Sequence, residues 1–97
     1  MLTGMPKRER DDKVRGIFAV LKSRMLTIPE LSIIHETKNY IKYNMKGKTV
    51  RYKATERGIR HEILSIYGDK NQYKEWTRIK TMSINKWHTV LSKKGLV

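Results

Sequence analysis

From Lys13 onward the apolar residues Val14, Ile17, Phe18 and Leu21 recur at three- and four-residue spacing, with Lys13, Arg15, Lys22 and Arg24 on the remaining faces. This pattern predicts an amphipathic helix. The preceding stretch, MLTGMPKRERDD, has no hydrophobic period and reads as a flexible arm of mixed charge. In LTIPELSIIHE, Pro29 sits near a helix start, Thr27 is available as a cap, and Leu31 and Ile34 point inward, so a short second helix is expected. Thr37 then caps a third, TKNYIKYNMKG, with Ile41 and Met45 inward and Lys38, Lys42 and Lys46 as an i, i+4 ridge. Gly47 ends it, and KTVRYKA reads as a strand because Val50 and Tyr52 alternate with Arg51 and Lys53.

The second half reads similarly. Thr55 caps a helix through Ile59, Ile63, Leu64, Ile66 and Tyr67, broken at Gly68-Asp69. QYKEWTRIK places Tyr73, Trp76 and Ile79 on one stripe, and a last helix starts at Ser83. Sliding the chain on itself by forty-five positions pairs Val14 with Ile59, Phe18 with Ile63, Leu21 with Ile66, Leu31 with Trp76 and Ile34 with Ile79. One extra residue then brings Thr37 onto Ser83, Asn39 onto Asn85 and Ile41 onto Trp87. The expected fold is mainly α with a small β component. It comprises an arm at 1–12 and two helix-turn-helix units, 13–54 with its strand and 55–97, packed as an internal pseudo-dimer.

Composition changes the picture in one respect. Among 97 residues there are 22 Lys and Arg against 9 Asp and Glu, a net charge of +13 that points to a polyanionic partner, with nucleic acid first. No apolar run suits a membrane span or a secretory signal, so a cytoplasmic chain without membrane contact is expected. There is no cysteine, and His35, His61 and His88 lack the close spacing of a metal site. No metal, cofactor or catalytic residue is assigned.

The run Ile79, Met82-Ser83, Ile84, Trp87, Leu91, Lys93-Lys94-Gly95-Leu96-Val97 resembles the end of a recognition helix in the winged-helix superfamily. Tyr52-Lys53-Ala54-Thr55-Glu56-Arg57-Gly58 is similar to the segment where such domains leave the wing strand. The space between Gly47 and Thr55 admits only one strand of a wing. A tandem, internal-dimer arrangement is similar to that of the DNA-binding accessory proteins of Gram-positive conjugative plasmids. The resemblance implies a non-catalytic, sequence-specific binder of double-stranded DNA. Such a protein regulates transcription or assists DNA processing and transfer on a plasmid or phage, with other DNA-processing proteins at the locus as further partners.

In a helix-turn-helix the second helix enters the major groove. The candidate DNA contacts are therefore Lys38, Asn39, Lys42, Tyr43 and Lys46 in the first unit, with Lys48, Arg51 and Lys53 beside them. In the second unit they are Ser83, Asn85, Lys86, Thr89 and Lys93. Trp76, Trp87, Tyr73 and Phe18 are assigned to the core. An RNA-binding or ribosome-associated protein also suits this charge but should show exposed aromatics on a sheet or a known RNA motif, and the sequence offers neither. A small toxin-type ribonuclease is a third class, against which the helix-rich pattern supplies no strand-based cleft and no convergent residue set.

Overall fold

The computed structural model describes residues 6–96 and contains a five-stranded antiparallel sheet with a helix before it and a helix after it. The chain runs α1 (Lys7–Met25), β1 (Leu31–Thr37), β2 (Tyr40–Met45), β3 (Lys48–Thr55), β4 (Gly58–Tyr67), a 3-10 turn (Asp69–Asn71), β5 (Tyr73–Met82) and α2 (Ile84–Lys93). Strand order is β1-β2-β3-β4-β5, so every strand pairs with its neighbour in sequence.

This corrects the expected fold class. The chain is mainly β, and neither the helix-turn-helix units nor a winged helix forms. The segment LTIPELSIIHE contains β1, TKNYIKYNMKG contains β2, the stretch after Thr55 is β4, and QYKEWTRIK lies in β5. The physical reason is an ambiguity of period. Residues four apart share a face in a helix and also in a strand, where the repeat is two. Ile59, Ile63 and Tyr67 thus look alike in either structure, as do Lys42 and Lys46. The internal match fails for the same reason: Val14–Leu21 is helical, while its partner Ile59–Ile66 is a strand. β3 and β4 pair across position 54/55 within one sheet.

Two helices and one strand agree with expectation. α1 buries Val14, Ile17, Phe18, Leu21 and Met25, and begins at Lys7 rather than Lys13. Residues 1–5 of the predicted arm lie outside the described residues. Ser83 caps α2, its hydroxyl accepting from the Lys86 N–H at 3.1 Å. KTVRYKA is β3.

Three tight hairpins set the register. β2 and β3 are joined by Lys46-Gly47, with φ of 53° and 80°, the paired left-handed conformation of a type I′ turn. Thr37 and Tyr40 close the β1–β2 turn, and Thr55 and Gly58 close the β3–β4 turn. Thr37 Oγ1 accepts from the Asn39 N–H and Thr55 Oγ1 from the Arg57 N–H, both at 3.2 Å, so each turn is held by its own side chain.

Alternation along the strands then gives the sheet two unlike faces. On one, Ile41, Tyr43, Val50 and Ile59 are buried beneath α1 and α2, whose Ile84 and Leu91 complete the same cluster. The helices meet each other, with Lys13 Nζ donating to Asn85 Oδ1 at 3.2 Å. Among the described residues no helix packs on the opposite face, and that face carries most of the sheet's charge.

Candidate nucleic-acid interface

The open face is assembled from alternate residues of the strands: His35 of β1, Tyr40 and Lys42 of β2, Arg51 and Lys53 of β3, Arg60, Glu62 and Leu64 of β4, and Lys74, Trp76 and Arg78 of β5. Cross-strand rows run Lys42–Arg51–Glu62–Arg78 and Tyr40–Lys53–Arg60. Six cations stand here against the single carboxylate of Glu62. On the helix side of the same strands Lys48 and Lys80 are matched by Glu36 and Glu75. The sheet's charge is therefore sorted onto one face.

Arg51 and Glu62 form the centre of this face. Arg51 Nε and Nη2 both lie 2.9 Å from Glu62 Oε1, and Glu62 is only 6% exposed. The Arg51 guanidinium sits 4.0 Å from the centroid of Trp76 and 5.8 Å from that of Tyr40. A planar cation held by a carboxylate and stacked on indole is fixed in orientation, so Trp76 and Tyr40 are braced from within the sheet. Lys42, Lys53, Arg60, Lys74 and Arg78 surround that centre with no carboxylate within 4.0 Å among the described residues.

The expected contact residues are scattered. Lys42, Arg51 and Lys53 are on the open face. Lys38 and Asn39 form the β1–β2 turn, where the Asn39 carbonyl accepts from the Ala54 N–H at 2.9 Å. Lys46 is in the β2–β3 turn and Lys48 on the helix side. Tyr43 is buried beneath the helices at 6% exposure, which removes it from the contact set. Ser83, Asn85, Lys86, Thr89 and Lys93 belong to α2 and the cap that precedes it, across the sheet from the open face, with Ser83 and Asn85 engaged in the bonds given above. Absent from the expected contacts are Tyr40, Arg60, Glu62, Lys74, Trp76 and Arg78. The signal for them was the Ile, Val, Thr, Tyr and Trp content of strands bounded by turn residues every eight to twelve positions.

A second cluster lies beneath the helices. Tyr43 Oη is 3.0 Å from His61 Nε2, the Tyr52 and His61 rings stack at 4.1 Å, and Trp87 meets Tyr52 edge-on at 6.3 Å. Burial pushes the Tyr43 phenol up to about 12 and raises Tyr52, and it lowers His61. All three are thereby held neutral near pH 7, as structural polar groups are. Trp87 Nε1 is buried without a partner. Among the described residues no group of His and acidic side chains could hold a metal ion, and no helix is long and apolar enough to cross a membrane.

Comparison of the chain with protein-family models, curated proteins and solved structures gives no match. The functional reading rests on the geometry of the open face.

Proposed function

We propose that this protein binds nucleic acid without cleaving it, and that it lays a single strand, rather than a duplex, across the open face of its sheet. The observation that carries the reading is the sorting of charge: six cations, two aromatic rings and one carboxylate, itself paired with Arg51, on the face that no helix of the described residues covers.

Width favours the single strand. Five strands about 4.8 Å apart make a surface roughly 19 Å across. A major groove is about 12 Å wide, so this sheet cannot descend to the base edges of a duplex. Bases must come to it unpaired. Lys42, Lys53, Arg60, Lys74 and Arg78 are then placed for phosphates, while Tyr40 and Trp76 offer stacking worth about 1–3 kcal/mol per base. With the helix-turn-helix units gone, the chain has no recognition helix with which to read a duplex, and the half-buried rings of Tyr40 and Trp76 are what this face offers a base.

The test is fluorescence anisotropy with labelled single-stranded DNA, single-stranded RNA and duplex of equal length, at several salt concentrations. Single strands should bind more tightly than duplex. If the five unpaired cations each meet a phosphate, the plot of log K against log salt falls with a slope near −3.5, from about −0.7 per contact. The double variant Lys53→Gln/Arg60→Gln should make that slope shallower by about 1.4. The pair Lys86→Gln/Lys93→Gln, on α2, should change it little. The reverse ranking of the two variants overturns the reading, and duplex preference would shift it to backbone contact alone.

A further inference from the structure

We propose that β1 is a self-association strand: two copies of this chain pair β1 with β1, antiparallel about a twofold axis, and join their sheets into one.

Charge indicates where a second copy can approach. A chain of net charge +13 repels itself over most of its surface. The longest stretch without Lys or Arg is Met25–Thr37, thirteen residues whose only acidic members are Glu30 and Glu36. Glu36 is already held by Lys22 at 2.7 Å, so the region is close to neutral. That stretch contains the whole of β1.

The strand is also unpaired and apolar there. Among the described residues β1 bonds only to β2, which leaves its outer row of backbone N–H and C=O groups without a strand partner there. Leu26, Ile28 and Ile34 are 71%, 39% and 51% exposed, three large hydrophobic side chains within nine positions. The opposite edge differs. β5 is as open as β1 but carries Lys74, Glu75, Arg78 and Lys80, the kind of charge that keeps edges apart.

Antiparallel pairing of identical strands places the twofold axis perpendicular to the sheet, an isologous contact. Both open faces then point the same way, with all four helices behind them. The product is one ten-stranded surface with twice the cations of a single chain. Dimerisation is argued from β1 alone and does not depend on the nucleic-acid reading. If both hold, the dimer covers about twice the length of strand.

Sedimentation velocity of the full chain without nucleic acid, over about three decades of concentration into the range where small interfaces associate, reads this directly. The expected result is a shift from 11.5 kDa to twice that mass, strengthened by added salt as the repulsion is screened. Ile34→Lys should abolish the shift. Its matched control is Ile79→Lys, since Ile79 is also the irregular residue of an edge strand and also 51% exposed, and there the dimer should persist. Leu26→Lys, outside any strand, should weaken association without touching the sheet. A monomer at every concentration overturns the proposal, as does an Ile34→Lys chain that still dimerises or an Ile79→Lys chain that does not. Salt-dependent binding of single strands by a strictly monomeric protein would sink the dimer and leave the open-face reading standing.

Discussion

Replacing Glu62 by Gln separates the two tasks of the open face, because it should harm the fold and help binding. Gln keeps an oxygen for Arg51 to donate to but removes the charge that balances the guanidinium, whose side chain is 16% exposed. Breaking a largely buried pair by removing one partner costs about 3–5 kcal/mol, and the retained acceptor and residual exposure put this case at the lower end, about 3. For a domain of this size each kcal/mol moves Tm by about 4–8 °C, so a fall of about 12–24 °C is expected by circular dichroism. The same change raises the charge of the face by one. At a temperature where the variant is folded, anisotropy with a single-stranded oligonucleotide should show a salt slope steeper by about 0.7. An unchanged Tm would mean that Arg51 does not rely on Glu62. A slope that stays the same or becomes shallower would mean that nucleic acid does not lie on this face.

Ile17→Ala, at a fully buried position of α1, should cost about 2–5 kcal/mol in urea unfolding. Gly58 has φ of +141°, and a Cβ there would lie 2.3 Å from the Met82 carbonyl oxygen, so Gly58→Ala should lower Tm by more than 10 °C through about 3 kcal/mol of strain and overlap. A tolerated alanine would place the β3–β4 turn further from the Met82 carbonyl at the end of β5. Tyr43 keeps its proton to about pH 12 when folded and to about 10 when unfolded, so its contribution is complete below pH 10 and lost as pH rises from 10 to 12. The stability difference between the protein and Tyr43→Phe should shrink by about 2–3 kcal/mol across that window. For His61, lowered in the fold, the sign is opposite: stability is full above the ordinary histidine value near 6.5 and declines as pH falls below it, a slope that His61→Phe should flatten.

The two helices and the central strand β3 of this fold are readable in its sequence, and the other four strands are not. α1 has apolar residues at i, i+3, i+4 and i+7, and α2 has Ile84, Trp87 and Leu91 at i, i+3 and i+7, spacings that no strand reproduces. The strands fail the same test only weakly. Lys38, Lys42 and Lys46 sit four apart, which also suits a strand, so a ridge of like charges was taken for a recognition helix. Two of those lysines turned out to lie in turns. Strand content of β-branched and aromatic residues, with turn residues between, distinguishes the cases, whereas KTVRYKA is legible from the alternation of Val50 and Tyr52 with Arg51 and Lys53. The site followed the fold. Trp76 was placed in the core because its spacing matches Ile79 and Tyr73, yet on a strand Trp76 faces the side opposite Thr77, and that side is the uncovered one. Arg60 and Arg78 join Lys53 and Lys42 only through register, which no spacing in the sequence records.

The order of the strands also bears on how the chain reaches its native state. Three of the four pairings are closed by two-residue turns, and the fourth by the short segment 68–72, so the sheet can form step by step from neighbours at little cost in loop-closure entropy. The two helices are the exception. Lys13 and Asn85, seventy-two positions apart, meet only after the whole meander has formed and both ends of the chain have folded back onto one side of it. Docking of α1 against α2 is therefore the long-range event of folding. If the sheet forms first from its local pairings, mutations at the helix contact should speed unfolding more than they slow folding.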